Sequence, residues 1–260
     1  MLTAVVAASH KVAQESVVPE SIPWPQILGP HIPPIIFMTF LVWGIIGILS
    51  YLAVRKLSIA PNPMQGVFEA LISYVTGVAD DIIGPDAHKF YPLFVGLFVY
   101  ILFSNLLGLI PGFTSPTSDP NTTFGLTAIV FLFYHFQGVK EHGFGYIKQF
   151  LGPHLPWYMF PVKFLLIITE VMTIFIRPFS LGLRLFCNIF SKELFLAVLA
   201  VLILQFINSP ALGDKILTSA PFILRPIIIL FGLLIGFIQA FVFLVLSISY
   251  IAGARSAAEH

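Results

Sequence analysis

Charge is what this sequence lacks most. Only 10% of its 260 residues are Asp, Glu, Lys or Arg and 58% are hydrophobic, whereas about a quarter of a soluble domain is charged. Mean hydropathy is +0.96. A chain so poor in charge cannot clothe a folded surface in solvated groups, so most of that surface faces lipid or other protein. The net charge of +1 argues against nucleic acid as a partner, because a phosphate backbone calls for a basic face. A single cysteine, Cys187, excludes a disulfide framework and any multi-cysteine metal site. There is no glycine-rich nucleotide loop, no cluster of metal ligands and no nucleophile beside a base, so neither a cofactor nor catalysis by the chain itself is expected. Internal repeats and low-complexity tracts are also missing. The first 25 residues hold Lys11, Glu15, Glu20, Pro19, Pro23 and Pro25 rather than a basic start and one apolar run, so no secretory signal is expected there.

What the sequence has instead is long apolar stretches, and about 20 such residues cross a bilayer as a helix. Ile35–Val54 carries no charge and stops at Arg55-Lys56. Tyr91–Ile110 ends at Pro111-Gly112. Thr122–Val139, with His135 near its end, stops at Lys140-Glu141, and Ile227–Gly253 runs to Arg255. Between the last two lies Tyr158–Ile207, apolar but carrying Lys163, Glu170, Arg177, Arg184, Lys192 and Glu193. As one helix this stretch would be roughly 75 Å long; it is strongly tilted, bent near Pro178, or two spans. Cytoplasmic loops are enriched in Lys and Arg. Five spans with an external N-terminus put Arg55, Lys56, Lys89, Lys140, Lys148, Lys163 and Arg255 inside, leaving Lys11, Lys215 and Arg225 outside. Six spans would spoil that asymmetry.

The expected fold is therefore an all-α membrane protein of five transmembrane helices, the last two forming a long tilted hairpin. Residues 1–34 form an external N-terminal segment, 35–253 one transmembrane domain and 254–260 a short internal tail. Pro63–Ile83 places Val67, Leu71, Val75, Val78 and Ile82 at helical spacing, with Glu69, Ser73 and Asp80 elsewhere. This pattern predicts an amphipathic helix lying in the inner interface. Thr114–Asn121 reads as a turn-rich external loop. His135 reads as an interfacial group rather than a relay. Trp24, Trp43 and Trp157 suit membrane-belt or packing positions. Arg225 fits an outer channel or an interfacial anchor equally well.

Ionisable groups within a membrane are costly, and they mark ion pathways or buried pairs. On a wheel of about 100° per residue, Glu170, Arg177, Asn188 and Ser191 lie within about 40° of Arg184. Lys192 lies about 80° round and Glu193 near the opposite side. The plainest account is that these groups pair and hold the bundle together. The neighbouring helix weighs against it. If Ser209–Asp214 is a tight turn centred near residue 212, Arg184 lies level with Gln239, Lys192 with Gly232, Arg177 with Ser247 and Glu170 with Arg255. Gly232, Gly236 and Gln239 share a face that lets backbones approach closely. Gly232 leaves room for Lys192, Gln239 can orient Arg184 without cancelling its charge, and Arg255 is a partner for Glu170. Arg184 meets no carboxylate of this chain at its own depth, so another subunit must supply its anion.

These residues carry a resemblance. Phe179–Ser191 (FSLGLRLFCNIFS), followed by Lys192-Glu193-Leu194, resembles the fifth-helix signature of the ATP synthase subunit a family. Asn105–Gly112 (NLLGLIPG), Pro116–Thr123 (PTSDPNTT) and Gln239-Ala240-Phe241 are similar to the family's other marks, in the expected order. The resemblance runs from about residue 35 to 253 and implies a stator wall with two half-channels that do not meet. Each would serve a carboxylate on a rotating ring of c subunits, with peripheral-stalk b subunits and the rest of the ATP synthase as further partners. It implies that Arg184 is the essential arginine, that Glu170 belongs to the inner pathway, and that Asn188, Glu193 and Gln239 belong to the outer one, with Asp119 at the outer mouth. In one place the chain departs from some bacterial members, which carry His where this sequence has Gly232. Lys192 occupies the facing site, either titrating in proton entry or only shaping the local field. The implied location is a bacterial inner membrane, N-terminus outside and C-terminus in the cytoplasm. The rival is a self-contained ion-coupled carrier, for which internal repeats would be expected.

Overall fold

The computed structural model describes residues 34–55, 63–110, 113–143, 145–146, 160–206 and 212–256. The N-terminal segment with Trp24, residues 209–211 of the expected turn, and Lys56, Lys148 and Trp157 lie outside these residues, as do the side chains of Glu193, Lys215 and Arg225; the rest of the expected turn, to Asp214, is helical. Among the described residues there are six long α-helices: α1 (Pro34–Val54), α2 (Pro63–Ile83), α3 (Tyr91–Leu107), α4 (Pro120–His142), α5 (Phe160–Phe206) and α6 (Leu212–Ser256). A 3-10 turn, Pro85–Phe90, leads into α3, and another, Pro116–Ser118, leads into α4. No strand occurs among the described residues. Five helices are long and apolar enough to cross a membrane, and their windows fall at Ile35–Val54, Pro85–Leu107, Pro120–His142, Lys163–Lys192 and Pro226–Arg255. The expected all-α architecture of five spans and one amphipathic helix is what forms.

α2 has the predicted bounds. Its inward face is narrower than the sequence suggested: Val75 and Ala79 are fully buried and Leu71 and Val78 pack beside them, while Val67 stays exposed. Tyr74 seats the helix on the bundle through the rings of Phe98, Phe237 and Phe241. α3 is the central span, burying Phe94, Phe98 and Ile101 completely. α1 and α5 turn most of their apolar surface outward; on α1, Trp43 stacks on Tyr100 of α3 and remains exposed.

The long charged stretch is one helix of 47 residues, continuous through Pro178. Proline carries no N–H, so the Ile174 carbonyl loses its helical donor at that point. α5 and α6 lie side by side as the expected hairpin. α5 turns Leu181, Gly182, Leu185, Ile189 and Lys192 inward, a three- and four-residue spacing that keeps one face on its neighbours. α6 answers with Gly232, Gly236, Gln239, Phe243, Ser247 and Ile251, all buried.

Candidate functional site

Helical geometry decides what α5 shows to its surroundings. Once Leu181, Leu185 and Ile189 face the bundle, the residues between them must face away. Arg177, Arg184, Asn188 and Ser191 are all exposed. Arg184 makes no ion pair among the described residues, and Ile176, Phe179, Leu183 and Phe190 of the same helix are exposed as well. Asn188 Nδ2 donates to Gln239 Oε1 at 2.7 Å. The glutamine expected to orient Arg184 is thus bonded one turn further along α5. Gln239 itself is only 2% exposed.

Towards the Arg255 end, a cavity of about 150 Å³ opens between α4, α5 and α6. Glu170, Thr173, Ile174 and Arg177 line it from α5, Tyr134 and His135 from α4, and Tyr250, Gly253 and Ala254 from α6, with Tyr146 closing a further side. At about 30 Å³ per molecule it has room for roughly five waters, with polar partners for them. Glu170 does lie beside the last turn of α6, as the register predicted, but Arg255 is not its partner. Arg255 Nη2 donates to Asp86 Oδ2 and Nε to Glu141 Oε1, each at 2.7 Å. Its guanidinium sits over the Phe90 ring, and His142 Nε2 donates to its carbonyl at 2.9 Å. Two carboxylates and a ring on α4 and the turn before α3 outcompete the single carboxylate on α5. Tyr134, His135, Tyr146 and Tyr250 were missed as site residues, because their meeting depends on three elements crossing and no periodicity records that.

Towards the other end, Lys192 is 8% exposed and its stem lies across Gly232. A Cβ on Gly232 would stand 3.1 Å from Lys192 Cδ and 2.6 Å from Leu109 Cδ2. The pairing of Lys192 with Gly232 was legible in the sequence. The ammonium reaches Gly108, where a Cβ would be 3.4 Å from Nζ. Beside it the presumed external loop turns inward: Ser115, Pro116 and Thr117 are buried. Ser115 Oγ donates to the Ser104 carbonyl at 2.9 Å and shares a 2.7 Å hydrogen bond with Thr117 Oγ1. Thr117 donates to Asn105 Oδ1 at 2.8 Å, and Asn105 Nδ2 donates to the Gly236 carbonyl at 3.0 Å. Asp119 caps α4, its carboxylate accepting from the Asn121 N–H at 3.2 Å. Replacing Asn105 with Ala removes its bonds to the Thr117 hydroxyl and the Gly236 carbonyl. At about 1 kcal/mol for each bond between membrane helices, a loss of about 2 kcal/mol is expected. It would be read as a lowered midpoint of thermal unfolding in detergent; an unchanged midpoint would mean that the chain of bonds does not hold the loop.

Between the two polar regions the interface of α5 and α6 is closely packed and mostly apolar. Leu181, Leu185, Ile189, Phe243, Leu244 and Ile248 are all at most 1% exposed. Glu170 and Lys192 are 22 residues apart on one helix, or about 33 Å, close to the ~30 Å of a hydrocarbon core. The arrangement is two hydratable regions near opposite faces of a membrane, an apolar seal between them, and a permanent cation outside the seal at intermediate depth.

Comparison with known proteins identifies the family. The ATP synthase A chain family model matches residues 36–252. ATP synthase subunit a of Sulfurihydrogenibium sp. (strain YO3AOP1) is 36% identical over 225 residues, which is 86% of this chain and 98% of that protein. The subunit a of Geotalea uraniireducens (strain Rf4) is 39% identical over 83% of this chain and 85% of its own length. That of Geobacter sulfurreducens is 36% identical over 85% and 87%. With nearly every span inside the match, the chain belongs to the ATP synthase A chain family.

Proposed function

We propose that the chain is the proton-translocating stator subunit of an F-type ATP synthase, holding two offset half-channels that pass protons to and from carboxylates on a c-subunit ring. The observation that carries this reading is Arg184, exposed on α5 between two polar regions and without an ion pair among the described residues. An arginine facing lipid at mid-depth is costly. Facing a ring of carboxylates, it has a partner that changes with every step of rotation.

The guanidinium is charged at every working pH. It attracts a deprotonated ring carboxylate and favours proton release from a protonated one. The same fixed charge repels a proton seeking to cross directly between the half-channels. The inner half-channel is the cavity beside Glu170. The outer one runs through Asn188, Ser191, Lys192, Glu193 and Gln239, with Gly232 making space for the Lys192 stem and Asp119 holding the start of α4 at the outer mouth. The basic residues Arg55, Lys89, Lys140 and Arg255 put their end of the bundle on the cytoplasmic side of a bacterial inner membrane, with the N-terminus outside. The exposed apolar faces of α1 and α5 meet lipid, the c ring and the b subunits of the peripheral stalk. The chain itself makes and breaks no covalent bond.

Purification separates this reading from a self-contained carrier. An affinity tag on the chain is expected to bring out a large complex that hydrolyses ATP, and the isolated chain in liposomes is expected to drive no coupled solute uptake. Solute uptake by the isolated chain under a proton gradient would overturn the proposal.

A further inference from the structure

The cavity beside Glu170 holds a second group able to carry a proton at physiological pH. His135 lies on α4 and lines the same space of about 150 Å³ as Glu170. From sequence it is an apolar helix's terminal histidine, and an interfacial position is its ordinary fate. In the structure its ring is half-buried and packed by Phe131 and Tyr134, with centroids 4.5 and 4.2 Å away. Its Nδ1 shares a 3.0 Å hydrogen bond with the Tyr146 hydroxyl. Gly138, one turn along α4, makes room for Tyr146: a Cβ there would come within 2.4 Å of that ring. A histidine serving only as a membrane-surface anchor needs neither a fitted ring partner nor a place in a polar cavity.

We infer that His135 is a proton-relay residue of the half-channel that ends at Glu170, an inference that rests on the functional reading above. Each polar group that lines the cavity with His135 has a place in this account. From α5 come Glu170, Arg177 and Thr173; from α6 comes Tyr250; from α4 itself comes Tyr134, and from the turn after α4 comes Tyr146. Glu170 and Arg177 offer one charge of each sign, and the tyrosine hydroxyls offer neutral sites for ordered water. In the direction driven by ATP hydrolysis, neutral His135 takes a proton from the cytoplasmic side on one ring nitrogen and becomes imidazolium. It passes that proton through cavity water to the Glu170 carboxylate, which becomes the neutral acid while the ring returns to neutral imidazole. Glu170 then gives the proton to a ring carboxylate and is an anion again. In the synthesis direction each transfer reverses. Histidine suits the step because an imidazole can take up a proton on one ring nitrogen and give one back.

The test is ATP-driven acidification of inside-out vesicles carrying the whole complex, followed from pH 6 to 9. His135→Gln keeps a hydrogen-bonding side chain but cannot become a cation. The relay predicts that pumping falls about fivefold at pH 6 and that the deficit narrows towards pH 9, where the wild-type imidazole has itself lost its proton. Tyr146→Phe is expected to give a smaller deficit, about twofold, of the same pH dependence. An undiminished rate in His135→Gln overturns the relay, and so does a deficit of equal size at every pH, which is the mark of a role in packing alone. If His135→Gln does not assemble, Tyr146→Phe decides on the same criteria. Glu170→Gln in the same assay keeps the two ideas separable. Loss of pumping there with an intact His135→Gln profile sinks the relay alone, whereas normal pumping in Glu170→Gln sinks the cytoplasmic half-channel itself.

Discussion

Replacement of Arg184 with alanine is expected to abolish ATP-driven acidification of inside-out vesicles while leaving the complex assembled. Assembly should survive because the side chain is exposed on α5 and makes no ion pair among the described residues; the packing of Leu181, Leu185 and Ile189 beneath it does not depend on it. The loss should be large because, on the proposed function, its partner is a ring carboxylate in a poorly polarisable setting. Removing one member of a buried ion pair costs about 3–5 kcal/mol, and at ~1.4 kcal/mol per factor of ten the rate should fall by about a hundred- to a few thousandfold. A second effect is expected in the opposite direction. With the catalytic head stripped away, passive proton leak should rise, because no fixed cation then stands between the two polar regions. Pumping near the normal rate would remove Arg184 from the centre of the mechanism and favour a bundle held by scattered polar contacts.

The expectations that the structure bears out, and those it does not, divide along a physical line. Span number and the bounds of α2 follow from length and charge, which act locally and leave a trace in the sequence. The Lys192–Gly232 pairing was readable because an antiparallel hairpin fixes depth by arithmetic once the turn is located. The same arithmetic put Gln239 against Arg184, whereas its hydrogen bond goes to Asn188. One turn of stagger is enough for that, and side-chain reach spans it. Arg255 was assigned to Glu170 on depth alone. Depth does not say which of several carboxylates at that level lies nearest, and Asp86 and Glu141 reach it from 169 and 114 residues away. The segment before α4 turns as its composition suggested, but composition did not show that it folds into the bundle. Ser and Thr suit an exposed turn, yet Ser115 and Thr117 satisfy each other and Asn105 inside the bundle. A polar residue's partner, rather than its polarity, decides whether it can be buried. Pro178 was ambiguous for a related reason: interior proline kinks a helix or is tolerated according to what its neighbours supply.

Glu170→Gln is expected to stop proton transfer without opening a leak, which distinguishes its role from that of Arg184. The substitution preserves shape and hydrogen-bonding capacity, so the cavity between α4, α5 and α6 should keep its walls and its water. What it removes is a group that can hold a proton and give it up again. Positioned proton-transfer groups contribute about 10²–10⁴-fold. Because water in a cavity of about 150 Å³ offers a partial detour, a fall of about a hundredfold, at the lower end of that range, is the expected result for ATP-driven pumping. Passive leak through complexes stripped of the head should stay at or below the wild-type value, since Arg184 and the apolar layer of Leu181, Leu185, Phe243 and Ile248 are untouched. Glu170→Asp should recover part of the rate, as the shorter carboxylate still titrates within the same cavity. If Gln and Asp prove equally impaired, the position matters for its reach and packing and not for its proton. If Gln pumps normally, protons reach the ring by a route that bypasses this cavity. The comparison of leak between the Arg184 and Glu170 variants is therefore the more informative reading: on the proposed function one group separates the two paths, and the other is a step along one of them.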